Sequence, residues 1–417
     1  MSTIARRERY RYADGALSLP QKAGGVKYRQ AVNVLSSVLI MCCAGSVYAW
    51  SIFVAPLRSA FGLSAAQTQL IFGCIIASFS ISMLFVGRIE RRLGPRLTAI
   101  TGAVLFSAGY LLASFSGGNV ILILLGIGVI SGAGMGFGYV TVLTTLVKWF
   151  PDRKGLATGI AVAGFGSGAI LLSRIAQPIL DGGWPVTDVF MAIGIIYGII
   201  FVLSALFISA PAAAKEAAVE KPVGIRALAG DKRFWVLFYT FFAGSFAGLM
   251  FIGNLKPIGL THGISDNAAV MAIVLVSVGN AAGRILWGQI YDTIGGKRSV
   301  AIALALLSVL TLALLSGITN DIAFLSLCLV IGLCYGANFV LYASDVSGIY
   351  GIYQLGIIYP VVSLAYGISG IVGPLAGGLF FDVTGSYLLP VILAAAICLT
   401  GLAAYVLFMG KTPRAAR

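Results

Sequence analysis

Long apolar runs separated by short polar segments dominate this chain. Crossing a hydrocarbon core takes about 20 apolar residues in a helix. Twelve stretches meet that length wholly or nearly: Val34–Val54, Thr68–Gly87, Leu97–Phe115, Val120–Val147, Leu156–Leu180, Val189–Ile208, Phe234–Leu255, Ala268–Ile290, Val300–Leu315, Ile322–Ser344, Leu355–Phe381 and Tyr387–Met409. Each far exceeds an ordinary strand of about 5–6 residues. The pattern therefore predicts an all-α membrane protein of twelve transmembrane helices. The first run follows a polar tail and has no A-x-A cleavage site, so it does not read as a signal peptide.

Composition supports this reading. Of the 417 residues 59% are hydrophobic and 10% charged, against about 25% charged in soluble chains. A soluble fold could not hide that much apolar surface. The net charge of +14 raises nucleic-acid binding, but its distribution argues otherwise. Basic residues gather in alternate connections: the N-terminal tail (Arg6 to Arg29), Arg88–Arg96, Lys148–Lys154, Lys215–Arg233, Lys297–Arg298 and the C-terminal tail. Cytoplasmic loops carry such an excess, so both termini are expected in the cytoplasm, in a bacterial inner membrane.

The stretch 211–233 (PAAAKEAAVEKPVGIRALAGDKR) is the longest polar interruption. It divides the chain into a tail 1–33, a six-helix bundle 34–210, a cytoplasmic linker 211–233, a second bundle 234–409 and a tail 410–417. The halves echo each other at an offset of 201: Gly87, Gly94 and Arg96 match Gly288, Gly295 and Lys297; Pro56 matches Pro257, Gly155 matches Gly356 and Phe165 matches Tyr366. Parallel repeats of this kind imply two pseudo-symmetric bundles with a substrate site between them.

These motifs resemble the major facilitator superfamily, which carries G-x-x-x-D-[RK]-x-G-[RK]-[RK] between its second and third helices and a weaker copy after the eighth. The second copy keeps its acid at Asp292. The first has Arg91 at that place, and Glu90 beside it is the candidate replacement. The resemblance implies gating roles for Gly87, Glu90, Gly94, Arg96, Asp292 and Gly295. Three longer segments, GSVYAWSIFVAPLRSAFGLS, GYVTVLTTLVKWFPDRKGLATGIAVAGFGSGA and AYGISGIVGPLAGGLFFDVTGSY, look like the oxalate/formate antiporter family and related bacterial monocarboxylate transporters.

Arg284, inside the eighth run, is the strongest chemical signal. A charge at membrane depth costs several kcal/mol, and a guanidinium grips a carboxylate through two parallel hydrogen bonds. Snorkelling to the nearby surface is the plainer alternative. The resemblance implies a substrate-binding arginine at this point. Asn280 lies one turn away on the same face and could hold a hydroxyl or keto oxygen. Eukaryotic relatives typically have an aspartate there, thought to take the coupling proton. Tyr48, Tyr139, Phe165, Tyr335 and Tyr366 are candidates for the rest of the pocket, although any one of them could be ordinary packing. Lys256 and Arg174 read as interfacial anchors or as an entrance that gathers anions.

Acids are expected only in tails, loops and helix ends. Without a fixed counter-ion, Arg284 finds its best partner in an anionic substrate. No Lys or Arg occurs from Ser299 to Gly410. Oxalate carriers of the family place a lysine where Tyr366 stands, so one cation here suits one carboxylate. The expected function is alternating-access transport of small monocarboxylates, lactate- or pyruvate-like, by proton symport. Organic-anion exchange of the oxalate/formate type is the alternative, and a non-transporting sensor the reading from another class. A drug or sugar carrier fits less well, because sugar sites usually need several carboxylates and amides. The resemblance implies a carrier that works as a monomer.

Catalysis, cofactors and metals are not expected. The cysteines lie in apolar runs without a CxxC pair, and His262 is the single histidine. The run Gly132-Ala-Gly-Met-Gly-Phe-Gly sits in an apolar stretch with no preceding strand. It reads as a close-packing surface and not a dinucleotide loop.

Overall fold

The computed structural model describes residues 23–150, 154–211, 228–316, 318–351 and 354–409. The 1–22 part of the N-terminal tail, most of the linker and the C-terminal tail lie outside the described residues. Among those described, helices account for nearly all the chain and no strand occurs.

The spans are α1 (Lys27–Phe61), α4 (Val120–Trp149), α6 (Val186–Phe207), α7 (Lys232–Gly253), α8 (Asp266–Ile294), α9 (Gly296–Ser316), α10 (Asp321–Tyr350), α11 (Ile357–Thr384) and α12 (Leu388–Phe408), with α5 (Lys154–Asp181). One further helix, Ala65–Ser114, is 50 residues long and breaks at Gly94, where φ is 77° and Pro95 follows. That break separates α2 (65–93) from α3 (95–114). A helix thus stands at each of the twelve predicted positions. Ten helices among the described residues are long and apolar enough to span a membrane, counting the broken one once. The first helix starts at Ala23, eleven residues before the predicted Val34.

The 201-residue repeat is built into the backbone. Gly94 and Gly295 adopt the same left-handed φ, 77° and 83°, and Gly62 and Gly263 do likewise at 68° and 75°. Ser64 caps α2 by accepting from the Gln67 amide, and Ser265 caps α8 by accepting from the Ala268 amide. Asn119 and Asn320 cap α4 and α10. Equivalent positions supply equivalent starts and stops, so the two halves share one folding plan.

Within each half, glycines let helices approach closely. The Gly132–Gly138 run divides its faces: Gly132 and Gly136 lie against Ile75 and Phe79 of α2, and Gly134 against Gly102 of α3. In the second half Gly279 and Gly283 of α8 meet Leu329 and Leu333 of α10, while Gly332 and Gly336 meet Val276 and Asn280.

Successive spans alternate in direction. One side of the molecule therefore holds the basic connections (the basic side) and the other holds Gly62, His262 and Gly385 (the far side). The halves join through α2 against α11 and α5 against α8. On the far side the Asp382 carboxylate accepts from the Ala65 and Ala66 amides at 2.9 and 2.8 Å, capping α2 across the interface. Gln69 donates to the Gly253 carbonyl at 2.8 Å, and the Arg58 guanidinium lies 5.2 Å from the Phe381 ring centre.

Candidate functional site

Where the halves meet, the aromatic side chains form one connected cluster. Tyr48 comes from an eight-residue 3-10 stretch of α1, Ser46–Phe53. Such a tightened segment inside a long helix often marks a functional position. Its hydroxyl lies 3.0 Å from that of Tyr366, and its ring packs edge-on against Phe165 and Tyr335, with centres 5.5 and 6.2 Å apart. Tyr139 packs against Phe165 at 5.7 Å. On the other side Phe339 bridges Tyr335 and Tyr366 at 5.8 and 5.2 Å.

Arg284 closes the ring of contacts. Its guanidinium carbon stands 4.2 Å from the centre of Phe339, a cation–π geometry. Its Nε points at the Asn280 oxygen at 3.4 Å, a long contact. The α8–α10 glycine seam fixes this placement: Gly336 sits on the Asn280 carbonyl and 3.1 Å from the Arg284 amide, counted from where a Cβ would be. A larger residue there would push α8 away from α10 and with it Arg284 from Phe339. Arg284 is in none of the ion pairs among the described residues.

Exposure is graded across the cluster. Tyr48, Phe165, Tyr335, Tyr366 and Asn280 are buried. Arg284, Tyr139, Phe339 and Tyr359, all nearer the basic side, are half-buried. The Tyr335 hydroxyl is buried without a hydrogen bond of normal geometry, close to the Tyr48 and Tyr366 hydroxyls.

All seven sequence candidates, Arg284, Asn280, Tyr139, Tyr335, Tyr366, Phe165 and Tyr48, fall in this cluster. Phe79, Phe339, Phe241 and Tyr359 belong to it and were not anticipated. Phe79 packs on Tyr139, Phe165 and Tyr366 at 5.2, 6.3 and 6.4 Å, and Phe241 stacks on Tyr366 at 6.3 Å. The repeat offset could have found Phe79, since it is the counterpart of Asn280. Phe339 follows Tyr335 by one turn.

Other candidates stand differently. Lys256 is not a free entrance cation. Its buried ammonium pairs with Asp266 at 2.8 Å and donates to Gln177 of α5 at 3.1 Å. Gln177 in turn donates to Asp181 at 2.7 Å. Asp266 lies ten residues on and folds back across the far-side turn, so Lys256 ties the halves together there. Arg174 is exposed and reaches the Met271 sulfur at 3.4 Å. Glu90 is buried on the basic side, accepting from Thr144 at 2.6 Å and pairing with Lys148 at 3.0 Å. It therefore fastens α2 to α4 within one half. Asp292 is exposed, and no atom lies near the space a Cβ on Gly87 would fill.

Acids are expected only in tails, loops and helix ends, and Asp345 lies near the end of α10 but is buried there. The sequence reading ended the tenth helix at Ser344, but the helix runs on to Tyr350 and stops at the positive φ of Gly351, 90°. Asp345 is thereby fully buried, accepting from Tyr291 at 2.9 Å and from Tyr405. Glu90–Thr144 and Asp345–Tyr291 occupy the same two repeat positions with the acid exchanged between helices.

The sequence profile of the Major Facilitator Superfamily matches residues 35–359. The uncharacterized MFS-type transporter YhjX of Escherichia coli (strain K12) is 27% identical over 346 residues, covering 82% of this chain and 85% of its own. The oxalate:formate antiporter of Oxalobacter formigenes is 28% identical over 324 residues, 76% of each chain. Human monocarboxylate transporter 11 is 25% identical over 363 residues, covering 83% of this chain and 75% of its own.

Proposed function

Since the chain belongs to the major facilitator superfamily, a family of membrane transporters and not of enzymes, we propose that it carries small monocarboxylates, lactate- or pyruvate-like, by alternating access. The observation that carries this reading is Arg284: a single guanidinium, without an acidic partner among the described residues, at the rim of an aromatic cluster between two repeated halves. A carboxylate is the natural counter-ion for such a group. The surrounding rings suit a short carbon chain, and the Tyr335 hydroxyl suits a hydroxyl or keto oxygen. A second carboxylate would remain unpaired in a low dielectric, which disfavours a dianion such as oxalate despite the antiporter relative.

The halves 34–210 and 234–409 are the units that rock. Far-side contacts through Asp382 and Lys256, with the central Tyr48–Tyr366 pair, suit a state closed on the far side. The graded exposure of Arg284 and Tyr139 suits entry from the basic side, which by the charge rule is the cytoplasm. The turns at Gly94 and Gly295, with Arg96, lie where gating would bend the chain. We assign the protein to a bacterial inner membrane, with both termini inside and a monomer as the working unit.

Coupling is by proton symport. Exchange of organic anions is the second reading, favoured by the antiporter relative and by the absence of an acid at Asn280. Uptake of labelled lactate, pyruvate or acetate into proteoliposomes separates them. Accumulation driven by an inward proton gradient, with empty liposomes, supports symport. Strict dependence on internal substrate supports exchange. Absence of uptake under both conditions would favour a non-transporting sensor.

A further inference from the structure

A second basic site lies away from the aromatic cluster, at the basic-side ends of α1, α3 and α6. These ends enclose a pocket of about 250 Å³, with Arg29 and Arg96 in its wall and Tyr28, Asn33, Phe207 and Ser209 around them. No acid lines it. Neither arginine takes part in an ion pair among the described residues, so two exposed arginines from separate helices line one small space.

The floor of the pocket is already built. Asn33 is 1% exposed. Its amide donates to the Arg29 carbonyl at 2.8 Å and to the Ser209 hydroxyl at 3.1 Å, and its oxygen accepts from the Ser209 amide at 2.9 Å. Trp149 donates to the Ser209 carbonyl at 2.5 Å, and Gln30 to the Trp149 carbonyl at 3.3 Å. The ends of α1, α4 and α6 are thus bolted together, and every polar group of Asn33 is in use. What the pocket still offers is positive charge. A negatively charged ligand would answer both cations.

The surroundings say where that anion comes from. Phe207 and Leu203 on α6 and Leu97 on α3 are 58, 54 and 54% exposed, forming an apolar strip that leads from the pocket along the spans. In a membrane protein that strip meets acyl chains. Tyr28, 71% exposed at the start of α1, is of the type that sits at the headgroup level. A soluble anion would use the arginines alone, whereas a lipid would use arginines, tyrosine and strip together. Basic pockets between helices at this level hold anionic headgroups.

We propose that this pocket binds the phosphate-bearing headgroup of an anionic phospholipid, with its chains on the α3–α6 strip. Lipid retention at this site does not depend on which substrate is carried, although Arg96 also belongs to the gating-loop motif.

Native mass spectrometry of the full-length protein, titrated with phosphatidylglycerol or phosphatidylcholine, tests it. Retention of phosphatidylglycerol in preference to phosphatidylcholine is expected, with apparent affinity falling about tenfold or more in Arg29→Gln/Arg96→Gln. Arg91→Gln/Arg92→Gln, an equal charge loss on neighbouring residues outside the pocket, is expected to bind as the parent does. Arg29→Lys/Arg96→Lys, which keeps the charge, is expected to stay within about threefold of it. Unchanged retention in the Gln pair overturns the proposal, as does equal loss in the Arg91/Arg92 control or in the Lys pair. Displacement of the lipid by excess inorganic phosphate overturns the lipid assignment and makes the pocket a soluble-anion site.

Discussion

Replacing Arg284 by lysine probes the anchor without removing its charge. The guanidinium presents a fixed fork, and it lies 4.2 Å from the Phe339 ring centre with Nε turned toward Asn280. Lysine offers a point charge on a flexible stem. It keeps the Coulomb attraction for a carboxylate but loses one of two parallel charge-assisted hydrogen bonds, worth about 1.5–3 kcal/mol. Weakened stacking on Phe339 adds roughly 0.5–1 kcal/mol. At about 1.4 kcal/mol per tenfold, KM for a monocarboxylate should rise about thirtyfold to several-hundredfold. Because the fork holds substrate in the ground state, the maximal rate should change less than KM. The assay is concentration-dependent uptake in proteoliposomes, with the amount of inserted protein measured. A variant whose KM stays within about twofold of the parent would refute the reasoning, since paired hydrogen bonding would then contribute nothing.

Three other perturbations have expected outcomes. Gly45→Ala puts a methyl group on the Phe165 carbonyl of α5; overpacking of about 1–3 kcal/mol should lower the unfolding temperature and raise KM, and a fully active, equally stable variant would contradict the role of this crossing. Asp345→Ala leaves the buried Tyr405 hydroxyl without its acceptor, so thermal unfolding in detergent should show a loss of about 1–3 kcal/mol, with Asp345→Asn losing less. Lys256→Met removes the Lys256–Gln177 link between halves; at about 1 kcal/mol the population open on the far side should rise about fivefold. Paired spin labels on the far-side loops read that distribution, and an unchanged one would show the link to be incidental.

Much of the architecture was legible because a membrane imposes length. Apolar runs marked the helices, and Gly94 and Gly295, seen first as letters at one offset, proved to be matching left-handed turns. Phe165 and Tyr366, paired by the same offset, both touch Tyr48. Phe241 and Phe339 were not legible, because lipid and helix interior are both apolar and sequence periodicity does not separate the faces that meet them. The burial of Asp345 was not legible because its helix outlasts the apolar run by two turns, held by a tyrosine from each of two other helices. The pairing of Lys256 was not legible because its partner Asp266 comes close only after the far-side turn folds back. Helix ends and cross-turn pairs depend on contacts that a linear pattern does not encode.

Transport of monocarboxylates by means of Arg284 is the proposal on which the functional reading rests. Saturable uptake of labelled lactate and pyruvate into proteoliposomes containing the parent protein or Arg284→Ala tests it most directly. The account predicts uptake by the parent and loss to the protein-free background in the variant, with both proteins inserted equally. Normal transport by Arg284→Ala would contradict it.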